Sequence, residues 1–279
     1  MSTITSKDIA TLRGITGAGI LDCKKALEAT SNNQEEAIKW LREKGISKAA
    51  KKNDRETHEG LVYSNIDGEY AGIVEIKCET DFVARNDKFV QFIHNVEQII
   101  RKNNVHTVEA TLLVKYNNTT VQEELTHLSA TIGEKLDLSR AQVLHAPGNT
   151  IGSYNHSNGK ISTLVVLEGK VDLEVARNIA MHVTALAPKY TSINDVPADV
   201  VATEKAEIER KAYEENEKSG KPKPANIIQN MIQGRLSKSL GEFCLVEQIY
   251  VKDPAIKVKD YLAQNKTNVL KVVRYELGK

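Results

Sequence analysis

The chain has 279 residues, of which 41% are hydrophobic and 27% charged. This balance is typical of globular proteins and excludes collagen-like and wholly disordered chains, and the length allows roughly two domains. The 38 lysines and arginines are balanced by 37 aspartates and glutamates, which leaves a net charge of +1. Because proteins that bind nucleic-acid phosphates usually carry a basic excess, the composition favours a protein partner or a small molecule.

The sequence shows no pattern that is typical of a secreted, membrane-inserted or disulfide-linked protein. Residues 1–14 have no apolar signal core, and no run approaches the roughly 18 apolar residues of a membrane span. The three cysteines, Cys23, Cys78 and Cys244, are odd in number and far apart. They fit neither a disulfide framework nor a CxxC metal site, so we expect a reduced, cytoplasmic protein without a metal or cofactor.

Residues 6–45 predict a bundle of three short helices. Ser6 is expected to cap the first helix, Asn33 caps the third, and Gly45 stands where a left-handed residue would end it. The sequence Thr-Gly-Ala-Gly at 16–19 follows no strand and lacks the Lys-Ser/Thr of a phosphate loop. We therefore interpret it as a tight turn between helices.

The next segment predicts a linker followed by a strand–turn–strand–helix unit. Residues 46–58 lose the apolar periodicity, and Asp67-Gly68 is a hairpin signal between strands at 61–65 and 70–78. A helix follows, with apolar residues at helical spacing from Phe89 to Ile100, and a second helix is predicted at about 120–131.

The same unit recurs, which predicts two related α+β halves. Tyr63 and Tyr154 are 91 positions apart, whereas Phe92 and Ile179, on the helices, are 87 apart. The first half therefore carries about four extra residues between its second strand and its helix, and we infer a duplication.

Residues 198–240 interrupt the second half and predict an inserted helical hairpin. Its first helix, 199–218, is charged almost throughout, and an apolar line runs along the second helix from Ile228 to Leu240. A hairpin this polar has little core of its own. We expect it either to protrude into solvent or to lay its seam against another chain.

Covalent chemistry has no visible basis in the sequence. The histidines form no metal-ligand pattern, and His182 is interpreted as a satisfied, partly buried side chain. A Cys–His nucleophile pair could arise only through the fold, and no motif indicates one. We therefore expect a binding protein rather than a chemical catalyst.

Residues 79–86, Glu-Thr-Asp-Phe-Val-Ala-Arg-Asn, are the most informative stretch, because they lie where the first half is longer than the second. Thr80 can cap a helical turn that begins at Asp81, where negative charge is favourable. Phe82 then has two interpretations: a surface residue that binds a partner, or a lid that folds into the core, which is the usual outcome for a lone phenylalanine.

Residues 80–86 resemble the signature of the bacterial elongation factor Ts family, and so do Leu12-Arg13 and residues 16–27, Thr-Gly-Ala-Gly-Ile-Leu-Asp-Cys-Lys-Lys-Ala-Leu. Shorter matches occur in the family's order and extend the resemblance over nearly the whole chain, at 48–52, 132–134, 152–154, 180–183 and 219–222.

The resemblance implies a guanine-nucleotide exchange factor for the GTPase elongation factor Tu, without covalent chemistry. It implies an α+β fold with a helical, ubiquitin-associated-like (UBA-like) module at 1–55. Two duplicated core halves follow at 56–145 and at 146–197 with 241–279. The hairpin at 198–240 corresponds to a protrusion of the family that is implicated in homodimer contacts.

The resemblance also implies partner-binding positions, which are Arg13, Ile20, Leu21, Thr80, Asp81, Phe82, Val83, Tyr154 and His156. The first three belong to the module that docks on the GTPase's nucleotide-binding domain. Asp81 and Phe82 match the pair that pushes beside the partner's magnesium site. The last two lie where the second half approaches the GTPase's third domain. No membrane or nucleic-acid partner is expected.

Two other classes of function stay open at this stage. The basic run at 48–55 is either a solvated linker, which we favour, or an RNA-binding patch, which steeply salt-dependent binding would identify. A ubiquitin-like adaptor would bind through residues 1–55 alone and would be indifferent to the nucleotide on its partner.

Overall fold

The computed structural model describes residues 4–50, 52 and 54–279, with the backbone alone at 46–50. The chain divides into two compact units. The first comprises Met1–His145, Asn155–Ser162 and Tyr275–Lys279, and the second comprises Ala146–Tyr154 and Thr163–Arg274. Both units mix helices with small sheets, so the predicted α+β class is confirmed at that level.

The first unit begins with the three predicted helices, α1 (Ser6–Thr16), α2 (Ile20–Ala29) and α3 (Gln34–Ala50). Their apolar faces enclose a small core of Leu12, Cys23, Ala26, Leu27, Ala37 and Leu41. Residues 16–19 form the turn between α1 and α2, as predicted. The cap of α1 is Thr5 rather than Ser6, because the Thr5 hydroxyl accepts the Asp8 amide at 3.2 Å and the Asp8 carboxylate accepts the Thr5 amide.

A three-stranded antiparallel sheet forms the centre of this unit, in the order β1 (Glu59–Asp67), β2 (Tyr70–Cys78) and β5 (Asp137–His145). The helices and the small ribbon between β2 and β5 are α4 (Asp81–Ala84), α5 (Asp87–Asn103), α6 (Val108–Leu113), β3 (Lys115–Tyr116), β4 (Thr119–Thr120) and α7 (Val121–Ile132). The predicted hairpin and both predicted helices are confirmed. The apolar faces of α5 and α7 pack on the sheet.

The prediction that Gly45 ends the third helix is wrong, since α3 continues to Ala50. A Cβ atom at Gly45 would lie 3.3 Å from Ala130 Cβ on α7. The glycine is buried and sits where α3 packs on α7. It permits a close helix–helix contact rather than a left-handed stop.

The second unit repeats the arrangement of strands and helix. Its sheet has the strand order β6 (Thr150–Asn155), β7 (Ile161–Leu167) and β8 (Val269–Glu276). Helix α8 (Leu173–Leu186) follows β7 in the chain, and α11 (Val258–Gln264) precedes β8. In both sheets the second strand of the hairpin is central. This shared order supports two related halves, while their duplication stays a prediction.

The predicted hairpin consists of α9 (Ala198–Glu217) and α10 (Ala225–Phe243). Its apolar seam is buried, with Ile208 and Ala212 of α9 packed against Ile228, Ile232 and Leu236 of α10. The prediction of too little core was therefore wrong, because the two helices and the chain at their base bury the seam themselves.

His182 on α8 is hydrogen-bonded, as predicted, but it is fully rather than partly buried. Its Nε2 lies 3.0 Å from Gln248 Oε1, and its Nδ1 accepts the Val251 amide at 3.2 Å. A neutral ring satisfies both contacts. Burial lowers the pKa of His182, and the Gln248 hydrogen bond opposes that shift only in part. Burial also lowers the pKa of His94, whose ring centroid lies 4.0 Å from that of Tyr63 with the two rings tilted by 33°.

These histidines predict a loss of stability in mild acid. Because the folded pKa is lowered, the unfolded chain binds more protons below about pH 6.5, so stability is fully present above that pH and falls as the pH drops. His182→Asn should reduce the decrease in urea midpoint between about pH 7.5 and pH 5.5. His58→Asn is the control, because His58 is exposed. Equal pH dependence in wild type and His182→Asn would contradict this origin.

Candidate partner-binding site

Three exposed side chains from the sequence prediction flank the turn between α1 and α2, and we call them the docking face: Arg13, Ile20 and Leu21. Ile20 is 57% exposed and Leu21 72% exposed, at the first turn of α2. The turn is possible because Gly17 adopts φ +67°, a left-handed conformation that glycine reaches without strain. Ile15 is also exposed beside this face, and the prediction did not include it.

A second group of predicted residues lies on the segment between β2 and α5, which we call the Phe82 turn (residues 79–85). Thr80 adopts an extended conformation and caps α4, its hydroxyl accepting the Val83 amide at 3.4 Å. The Ala84 amide donates to the Thr80 carbonyl at 3.3 Å. The predicted cap and the predicted helical turn are therefore confirmed.

Phe82 is 83% exposed, so the core-lid interpretation is wrong. Successive side chains of a helical turn point in different directions, and Val83 and Ala84 occupy the directions that face the core. Phe89 and Phe92 on the following helix are buried, which leaves Phe82 as the phenylalanine of this region that meets solvent. A large apolar side chain on a short, anchored turn is suited to binding an apolar pocket on a partner.

The other predicted residues of the turn have different surroundings. Val83 is buried in the core of the first unit, so any effect of this residue on a partner would pass through its neighbours. Asp81 is half-exposed and pairs with Arg85 at 3.0 Å. An exposed ion pair of this kind contributes little to stability, so Asp81 can exchange this partner for another at small cost.

Glu134 holds the start of the Phe82 turn from the loop between α7 and β5. Its carboxylate accepts the amides of Glu79 at 3.1 Å and Thr80 at 3.0 Å, and it accepts the Thr80 hydroxyl at 2.6 Å. No local sequence pattern connects these residues, because 54 positions separate Glu134 from Thr80. The only sequence signal for it was the family-like match at 132–134.

Tyr154 and His156 lie at the end of β6 and in the turn that follows it. Tyr154 is half-buried, with the Arg177 guanidinium 6.0 Å from its ring centroid. The backbone of His156 closes the hairpin, since its amide donates to the Ile161 carbonyl at 2.9 Å. Tyr154 belongs to the second compact unit and His156 to the first.

Side chains suited to covalent or metal chemistry do not converge within the described part of the chain. No group of three or more histidine, cysteine, aspartate or glutamate residues there could hold a metal ion. The three cysteines are buried. Burial, reinforced by the charges of Glu134 and Glu59, raises the pKa of the Cys78 thiol to about 12, so it is no nucleophile at neutral pH.

The basic run at 48–55 falls partly outside the described residues, which exclude Lys51, Asn53 and the side chains at 48–50. Lys52 is buried and donates to the Ser129 carbonyl at 2.8 Å. Arg55 pairs with Glu79 at 3.1 Å. These two cations are engaged within the protein, which is unfavourable for the RNA interpretation. Among the described helices, none is both long and apolar enough to cross a membrane.

Comparison with known proteins finds a matching family model and a relative that is similar over nearly the whole chain. Residues 79–279 match the family model described as "Elongation factor TS". The protein named elongation factor Ts of Spiroplasma citri is 41% identical over 276 residues, which cover 99% of this chain and 93% of that protein. The match therefore includes the Phe82 turn, Tyr154, His156 and both compact units.

Proposed function

This chain belongs to the elongation factor Ts family, and from that membership we propose that it is a guanine-nucleotide exchange factor for the GTPase elongation factor Tu. In this role it acts in the cytoplasm during translation elongation, and it makes and breaks no covalent bond. It accelerates GDP release and leaves the direction of exchange to the concentrations of GTP and GDP.

The observation that carries the proposal is the exposed Phe82 on its anchored turn. We propose that Phe82 and Asp81 enter the partner beside its nucleotide and disturb the magnesium and phosphate contacts. A ligand shifts a conformational equilibrium only by its preference for one state. Phe82 must therefore be buried more fully by the partner conformation in which the magnesium and phosphate contacts are poor. Thr80 and Val83 support the pair from the cap and from the core side of the turn.

The docking face supplies most of the affinity in this proposal. Arg13, Ile20 and Leu21 would contact the nucleotide-binding domain of Tu, and the exposed side chains of Ile20 and Leu21 would supply the apolar part of that contact. Tyr154 and His156 would contact the third domain of the GTPase. We also propose that residues 1–55 form a UBA-like module and that the core halves, 56–145 and 146–197 with 241–279, arose by duplication.

The test of this function is the release of labelled GDP from Tu. Saturating protein should accelerate release, and added GDP should weaken its binding to Tu by the same factor by which the protein weakens GDP binding, since linkage is reciprocal. A release rate that stays at its spontaneous value would contradict the exchange function. Binding that is equally tight with and without nucleotide would instead favour the adaptor.

For the hairpin at 198–240 we propose a homodimer contact through its outer surface. Val200, Tyr213 and Ile227 are exposed apolar residues there, whereas the seam between α9 and α10 is already filled. Deleting 198–240 and closing the gap with a short linker should shift a self-associating protein to monomer in sedimentation. An unchanged number of chains per particle, at equal concentration, would contradict this role.

A further inference from the structure

The loop between α7 and β5 and the Phe82 turn hold each other through two carboxylates. Glu134 accepts three hydrogen bonds from Glu79 and Thr80. In return, Glu79 Oε1 accepts the Lys135 amide at 2.6 Å. Each glutamate thus satisfies the backbone of the other segment, and we call this pair with Thr80 and Lys135 the turn clamp.

The turn clamp also reaches the segment that leads from the N-terminal helices. The Arg55 guanidinium donates to both oxygens of Glu79, at 3.1 and 3.3 Å, and Lys135 Nζ donates to the Arg55 carbonyl at 3.0 Å. Burial disfavours ionisation of Glu79, but the Lys135 amide and Arg55 outweigh it and lower its pKa. The carboxylate therefore stays charged in its role as acceptor.

The clamp acts on the part of the turn that burial does not anchor, where the buried Cys78 thiol also donates to the Thr80 carbonyl at 3.1 Å. Val83 and Ala84 anchor the end of α4 by burial, whereas Glu79 and Thr80 depend on Glu134 for their amide partners. A phenylalanine on a loose turn would lose conformational freedom when it binds, and a turn ordered in advance avoids that loss.

We propose that Glu134 is a positioning residue for Phe82, one that fixes the Phe82 turn in its binding conformation before the partner arrives. This inference rests on the proposed exchange function. Glu134 need not touch the GTPase, since it acts through the cap residue Thr80 and the turn that follows.

The decisive experiment compares four variants in the GDP-release assay: Glu134→Ala, Glu134→Gln, Phe82→Ala and the double variant Glu134→Ala/Phe82→Ala. Glu134→Ala should lower the maximal release rate by about tenfold, with little change in the half-saturating concentration, because the docking face is intact. Glu134→Gln should recover most of the rate, since its amide oxygen can still accept the Glu79 and Thr80 amides. The double variant should be no slower than Phe82→Ala alone.

Glu123→Ala is the matched control. Glu123 lies at the other end of α7, where its carboxylate likewise accepts a backbone amide, that of Thr120 at 3.0 Å. If Glu134 merely stabilised α7 and its surroundings, both alanine variants would lower melting temperature and rate together. Equal loss of rate in Glu123→Ala and Glu134→Ala, or additive losses in the double variant, would overturn the inference.

Amide hydrogen exchange of the free protein tests the clamp without reference to Tu. Glu134→Ala should accelerate exchange at the Glu79 and Thr80 amides by about tenfold or more, and Glu123→Ala should not. If wild type fails to release GDP, the exchange function fails by itself, and this measurement still decides whether Glu134 orders the turn. Unchanged protection of both amides in Glu134→Ala would overturn the positioning role.

Discussion

Phe82→Ala should slow GDP release from Tu by about tenfold or more while leaving the melting temperature nearly unchanged. Burying a phenylalanine side chain contributes roughly 1.5–3 kcal/mol, and about 1.4 kcal/mol corresponds to a factor of ten. In the free protein Phe82 is 83% exposed, so its truncation removes few contacts. Substitutions at such positions usually change stability by less than about 0.5 kcal/mol.

Two control variants separate this effect from general ones. Leu113 is 77% exposed at the end of α6, so Leu113→Ala removes a comparable exposed apolar side chain and should change neither rate nor melting temperature. Phe89 is fully buried, and Phe89→Ala should cost about 3–5 kcal/mol of unfolding free energy. Thermal melting and release kinetics on the same samples complete the comparison. A Phe82→Ala protein with a much lower melting temperature and a normal GDP-release rate would instead support the core-lid interpretation.

The second large effect concerns the docking face: removing residues 1–55 should weaken binding to Tu strongly. The deletion removes Arg13, Ile20 and Leu21 together. It also uncovers α7, on which α3 packs, and it removes Arg55 from Glu79. The remaining core should stay folded around its two sheets, with a lower melting temperature than the full chain. Binding should be measured by titration against nucleotide-free Tu.

A double substitution, Ile20→Ala/Leu21→Ala, isolates the docking face from these structural losses. Each exposed apolar side chain contributes up to about 1.5–3 kcal/mol when a partner buries it, so the pair should weaken binding on the order of a hundredfold or more. The half-saturating concentration should rise while the maximal release rate is kept, which is the opposite pattern to Phe82→Ala. Leu113→Ala again serves as control. An unchanged half-saturating concentration would exclude this face from docking.

The local elements could be predicted because neighbouring residues determine them. The apolar spacing from Phe89 to Ile100 predicts α5, and the two-residue turn at Gly68, with φ +61°, closes the first hairpin. Thr80 caps α4 through a bond to Val83, three positions away. The exposure of Phe82 was not decided by this turn chemistry, because the sequence allowed both a surface and a core-lid interpretation; it is settled by the burial of Val83 and Ala84 in the core.

Other features depend on residues that are distant in the chain. The pairing of β2 with β5 joins Val74 to Ala141, and no periodicity in either strand specifies that partner. Glu75, which alternation alone would place on an outer face, is buried and held by Ser139 and Arg140. A buried carboxylate is tolerated there because those partners satisfy its oxygens.

The sequence by itself therefore determined the helices, the hairpins, the capped Phe82 turn and, through resemblance, the family. Only the tertiary structure decided how the turn is held and where α3 ends. Glu134 meets Glu79 and Thr80 across more than fifty positions, and Gly45 meets Ala130 across the packing of two helices. Capping and periodicity depend on residues that are close in the sequence, whereas such contacts form only after distant segments have packed together.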